Sequence, residues 1–234
     1  MGKLLERKIT EAIRASASPK GFNVGPTRLV NGAANRFQID CVVSDRERRP
    51  IIIIDPKYIR YTKHNRDKGS WLCVAHYNLM KTFPSIRKSI TVLSGNWSAP
   101  SIALIRSFGI EVHLIPFQHI VDTLAGYRIP FDWHEKDTVT SVMAWDRFLQ
   151  LEDNDKEAIA DAIIAPVIGH VVRSVETTLD ADLATIQRRV TQVELTLKTS
   201  HGEMIASVHS TIREAAQRLL SLLEDRPDIG HSVR

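Results

Sequence analysis

The chain has 234 residues, 43% hydrophobic and 25% charged, with a net charge of +4. That much apolar mass supports a full core and excludes a small fold that depends on metal or disulfide staples. Cys41 and Cys73 stand outside any Cys-x-x-Cys pair, which excludes a zinc ribbon or a disulfide framework and leaves two small core residues in a reducing compartment.

Residues 1–14 are charged and amphipathic, unlike a signal peptide, and the longest aliphatic run, 51–54, is too short to span a bilayer. The expectation is a cytoplasmic protein with no membrane partner. Charge is unevenly spread. Residues 1–130 carry 20 Lys+Arg against 9 Asp+Glu, and residues 131–234 carry 11 against 18. A basic half beside an acidic half points to a polyanion bound by the first.

In chain order, Leu5, Ile9, Ala12 and Ile13 share one face of a helix over 2–15, ended by Pro19 and Gly21. A weak strand over 22–30 is broken at Gly25-Pro26. A better strand covers 36–43, a polar turn covers 44–49, and 50–58 holds the strongest strand. Its four consecutive isoleucines call for burial on both faces and so for a central position in a sheet. Helix and strand then alternate: helix 67–83 before Pro84, strand 89–93, helix 99–108 before Gly109, strand 110–115, helix 117–125 before Gly126. This α-β-β-β-α-β-α-β-α order predicts an α/β domain over 1–130 with a mixed sheet and parallel crossovers on one side of it.

A linker over 131–150 leads to a region, 151–234, in which no strand is expected. Residues 153–178 read as a helix, with Pro166 as a point of bending. Leu183, Ile186, Val190, Val193 and Leu197, then Ile205, Val208, Ile212, Ala215, Leu219 and Leu222, repeat at spacings of three and four. These read as heptad seams, either in two helices or in one long helix with a stutter near Gly202. The expected role is dimerisation or clamping along a duplex.

The triplet (D/E)-x-K occurs at Glu6–Lys8 and at Asp55–Lys57. The first lies in a helix, where i and i+2 diverge; the second ends a buried strand, where they share a face. If 36–43 and 50–57 form a hairpin turning at Glu47-Arg48, paired positions sum to 95 and Asp40 lies opposite Asp55. Two facing carboxylates repel. A divalent cation would compensate them, with Lys57 beside it to steady or deprotonate an attacking water or to offset phosphate charge. The plainer alternative is an Asp40–Lys57 ion pair with Asp55 capping a loop.

Asp40, fourteen intervening residues, then Asp55-Pro56-Lys57 after an aliphatic strand resembles the motif of the PD-(D/E)xK, or restriction-endonuclease-like, nuclease superfamily. The resemblance covers residues 1–115. It implies an αβββαβ core; Asp40, Asp55, Lys57 and the helix residue Glu6 as the catalytic set, with Glu11 as the second choice on that helix; and Mg²⁺, replaceable by Mn²⁺, held by Asp40, Asp55, Glu6 and the carbonyl of Pro56. Ile39 stands where the motif has proline, and Pro56 is an unusual middle residue that fits only a strand end or bulge.

Residues 57–88 carry eight Lys+Arg and one acid, interleaved with aromatic side chains. Arg60, Lys63, His64, Arg66 and Lys68 are the expected DNA contacts, joined by Arg46 and Arg48 on the turn. His76 and Tyr77 follow on the next helix and read as a packed face. The resulting expectation is a Mg²⁺-dependent endonuclease on double-stranded DNA, a homodimeric type II restriction enzyme in its most concrete form. The alternatives are a repair, recombination or junction nuclease on the same fold and a non-catalytic nucleic-acid-binding assembly protein.

Overall fold

The computed structural model describes residues 2–181 and 190–225, which belong to two compact units, 1–181 and 182–234. The first unit opens with helix α1 (Gly2–Ala17), followed by strands β1 (Asn23–Val30), β2 (Arg36–Ser44) and β3 (Pro50–Ile59). Helix α2 (Asn65–Thr82), strand β4 (Lys88–Gly95), helix α3 (Ala99–Ser107), strand β5 (Glu111–Pro116) and helix α4 (Phe117–Ala125) come next. The five strands form one sheet in the order β1-β2-β3-β4-β5. β1, β2 and β3 are antiparallel neighbours, and β3, β4 and β5 are parallel. The expected element order and mixed sheet are both present.

Period-two alternation along β3 explains the layers. Ile52 and Ile54 join Ile9 and Ile13 of α1 and Ile120 of α4 in one core. Ile53 packs with Ala75 and Leu79 of α2 on the other face, where Ile59, Leu72, Leu93 and Ile105 continue that layer under α2 and α3. All four isoleucines are buried, as a central strand requires. At Gly25-Pro26 the register against β2 shifts, with Asp40 and Cys41 of β2 falling opposite Pro26, and β1 continues to Val30. Both cysteines are free and buried.

Two expectations about the second half are corrected. Helices α5 (Thr138–Leu149) and α6 (Asp153–Asp180) belong to the first unit, so the unit boundary falls at Ala181 and not near 130 or 150. α6 packs on α1 and β5, burying Ile163, Val167, Val171 and Val175 in the same core as Ile9. It is long and apolar enough by length and composition to cross a bilayer, but that row of buried side chains is the pattern of a core helix. Pro166 lies within it without ending it.

The second unit is not all-helical. Strands β6 (Val193–Lys198) and β7 (Met204–His209) form an antiparallel hairpin, followed by helix α7 (Ile212–Asp225). Val193, Leu195 and Leu197 alternate with Glu194, Thr196 and Lys198, and Gly202 takes a left-handed φ of 84° in the turn. A spacing of four, as from Val193 to Leu197, satisfies a period of two as readily as a heptad, and the heptad reading of 193–209 arose from that overlap. The seam residues Leu183 and Ile186 lie outside the described residues.

Candidate active site

The β2–β3 pairing places the site. Cys41↔Ile54, Val42↔Ile53 and Val43↔Ile52 keep a constant sum of 95, and the ladder stops there, one residue short of Asp40 and Asp55. The intervening turn is closed by Asp45, whose Oδ1 accepts from the backbone N–H of Glu47 and Arg49. That is the side-chain-mimicked turn for which Asp is favoured. Asp55 and Lys57, two apart on β3, share the face covered by α2.

Lys57 bridges the carboxylates. Its Nζ lies 2.8 Å from Asp40 Oδ2 and 2.6 Å from Asp55 Oδ1. Asp55 is only 4% exposed, while Asp40 and Lys57 are half-buried. From beneath, His76 of α2 brings Nε2 to 3.7 Å from Asp55 Oδ2, and its Nδ1 is 2.6 Å from Ser89 Oγ on β4. His76 is fully buried. It was legible as a packed helix-face residue, since it follows Leu72 by four and precedes Leu79 by three, but its contact with Asp55 was not. Ser89 had no sequence signal at all.

The cluster separates its two acids. Burial pushes the Asp40 carboxyl above the ordinary carboxylate range; Asp55 adds to this and Lys57 opposes it. Burial would raise Asp55 too, but His76, Asp40 and the Lys57 charge outweigh it and hold Asp55 low. For Lys57, burial works to lower the pKa, and the two carboxylates overcome it and raise the value. Lys57 is therefore an ammonium at neutral pH.

The donor set suits a hard cation. Asp40 and Asp55 offer carboxylate oxygens, and the carbonyl of Pro56 is oriented to join them. The carbonyls of Ile51, Asp55 and Ile59 all accept bonds from the β4 side. Strand alternation therefore turns Pro56 C=O toward the β2 side, beyond the last pair Cys41↔Ile54. Mg²⁺ is commonly held by one or two carboxylates plus water and phosphate, so two acids suffice. Glu6 is adjacent and not converged with them. It lines one recess with Pro56 and Lys57 and another, about 360 Å³ in volume, with Asp40 and Thr10. Among the described residues no three of His, Cys, Asp and Glu are grouped closely enough to hold an ion. Glu11 pairs with Arg7 and also lines the recess that reaches Asp40.

The expected DNA contacts divide into three groups. His64, Arg66 and Lys68 are exposed just past the carboxyl end of β3, the end that carries Lys57. Lys63 is exposed there too, in an ion pair with Glu135. Arg46 and Arg48 are exposed on the turn at the other end of β3; Arg48 is seven residues from Asp55, roughly 20 Å of strand. Arg60 is not a surface contact: it is half-buried, its Cζ 3.6 Å from the Trp133 ring centroid and 4.7 Å from that of Phe131.

No protein-family model matches the chain, and no curated protein matches it at a significant level. One solved structure to which it is similar is the crystal structure of the protein of unknown function AF1548. The two are 11% identical with a TM-score of 0.34, over 73% of this chain and 99% of that one, values too low to carry any functional assignment.

Proposed function

We propose that this protein is a Mg²⁺-dependent nuclease that hydrolyses DNA phosphodiester bonds, in its most concrete form as a sequence-specific restriction endonuclease. The observation that carries the reading is the meeting of Asp40, Asp55 and Lys57, with Nζ of Lys57 within 2.8 Å of both carboxylates. A structural ion pair needs one acid. A second acid, 4% exposed and reaching the same ammonium, brings two carboxylates close together, and a bound cation would relieve their repulsion.

Asp40, Asp55 and the Pro56 carbonyl would hold the ion, which supplies charge to a phosphoryl oxygen and lowers the pKa of water. Lys57, kept protonated by its two acids, offsets the negative charge that gathers on phosphorus-bound oxygens as water attacks and the ester oxygen leaves. His76 and Ser89 keep Asp55 in place from the buried side. His64, Arg66 and Lys68, exposed at the same end of β3, supply positive charge for the backbone on either side of the cut.

The test is incubation of the protein with plasmid and genomic DNA in Mg²⁺ and in EDTA, beside Asp55→Asn and Lys57→Ala. Discrete Mg²⁺-dependent fragments are expected from the wild type, with a loss of about 10²–10³-fold or more in each variant. Cleavage confined to flaps or junctions would keep the chemistry and replace restriction with repair. No cleavage of any substrate, with DNA binding unchanged in both variants, would overturn the catalytic reading.

A further inference from the structure

The described part of the second unit, residues 190–225, consists of the β6–β7 hairpin and α7, and it is short of a core. Among its described residues Ala215 and Leu222 alone are buried. α7 packs on both strands, yet the alternating positions Val193, Leu195, Leu197 and Ile205 are only half-buried. A piece this small that buries so little is ordinarily completed by a disulfide, a metal or another chain. Both cysteines lie in the first unit, and among the described residues no group of His, Cys, Asp and Glu is placed to hold an ion. Another chain is the completion that remains.

The surface that such a chain would cover is on α7. Ala215 and Leu222, seven residues apart, lie along one line of the helix. About a quarter-turn round it runs a second line, Ile212, Ala216, Leu219 and Leu223, with Leu220 at its margin. All five are exposed, Ile212 by 65% and Leu220 by 61%. No charged residue falls on this line, so it offers nothing to a nucleic acid or another anion. An apolar stripe left in water on a helix whose remaining positions are polar marks an interface between proteins.

We infer that α7 pairs antiparallel with α7 of a second copy of this chain, making residues 190–225 a homodimerisation module. The spacing of the stripe is four, three, four, the same in both directions, so the reversed helix matches it. Ile212 then meets the partner's Leu223, and Ala216 meets the partner's Leu219. Each small residue lies against a large one, which fills the middle of the seam; a parallel pair would set Ala216 against Ala216 and leave a gap there. From the exposed fractions the stripe offers roughly 500 Å² per copy, hence about 1,000 Å² for the pair, the least that a specific interface needs. The inference does not depend on the nuclease reading.

Sedimentation equilibrium of the full chain without DNA, from about 1 to about 500 µM, tests this. The mass is expected to rise from the 26.4 kDa of one chain toward twice that value. Leu219→Glu together with Leu223→Glu should weaken the association by about a hundredfold or more, since four carboxylates would crowd the seam. Both leucines are exposed in a single copy, so the change leaves the fold of that copy alone. A second measurement fixes the register. An equimolar mixture of Ala216→Cys and Leu219→Cys chains, mildly oxidised, should form its crosslinked pair about tenfold or more faster than either chain alone. Cys41 and Cys73 are buried and do not compete. A monomer over the whole range, a dimer that survives the double glutamate change, or a mixture that crosslinks no faster than Ala216→Cys alone overturns the inference.

Discussion

With Ser89 Oγ 2.6 Å from His76 Nδ1, and the other ring nitrogen facing Asp55 at 3.7 Å, the buried imidazole has one firm hydrogen bond. Ser89 is 2% exposed, so no water replaces it freely. Ser89→Ala should therefore cost about 1–3 kcal/mol, the penalty of a buried ring nitrogen left without a partner. Urea unfolding measures it, and a loss below about 0.5 kcal/mol would mean that the bond does not hold the ring. At this scale the sequence reveals residues placed by local periodicity and hides those placed by packing. Asp40, Asp55 and Lys57 are legible because alternation and a short turn fix their register. The approach of His76 to Asp55 depends on how α2 rotates against the sheet, which leucine spacing alone does not set. Arg60 looked like a phosphate contact because its neighbours are basic. The rings that enclose it, Phe117, Phe131 and Trp133, come from more than fifty residues downstream.

The long helix α6 shows how an element absorbs a local fault. Pro166 has no N–H to give the carbonyl of Ala162, four residues earlier, and proline within a helix ordinarily kinks or breaks it. Here α6 continues to Asp180, and His119 of α4 places Nε2 3.0 Å from that same Ala162 carbonyl. The histidine occupies the place of the missing donor. Pro166→Ala should then stabilise the protein by about 1–3 kcal/mol, because the site is exposed and the lost bond is restored. His119→Ala should cost about 0.5–1.5 kcal/mol in the wild type and close to nothing in the Pro166→Ala background. Urea unfolding of the four variants checks the pair, and strictly additive effects would exclude the substitution of one donor for the other. The donor that covers the Ala162 carbonyl was not legible in the sequence because it lies on another helix. The β6–β7 hairpin was hidden for a different reason: its apolar positions satisfy both periods, and only the turn at Gly202 separates two short strands from a helix.

At the scale of the whole chain, the split between a basic first half and an acidic second half is partly an internal pairing. Lys8 lies 2.8 Å from both Glu157 and Asp161, and Lys20 pairs with Asp180, so α6 carries acid that faces the basic side of α1. Glu111 on the edge strand β5, an acid of the first half, joins the same helix to the sheet. Its carboxylate takes Lys88 Nζ at 2.7 Å, Ser174 Oγ of α6 at 2.9 Å and His113 Nε2 at 2.6 Å, tying two strands of the sheet to the long helix. Burial would raise the Glu111 pKa, but those three partners outweigh it and hold the group below its ordinary value of 4.5. A depressed carboxyl contributes stability that is whole above the unfolded pKa and is lost as pH falls through the folded one. Glu111→Gln should therefore unfold at lower urea than the wild type at pH 7, and the gap should close as pH falls from about 5 to about 3. Measuring both midpoints across that range decides it. A gap that stays constant with pH would mean that Glu111 acts by shape and hydrogen bonding alone, and that its charge contributes nothing to the joint between sheet and helix.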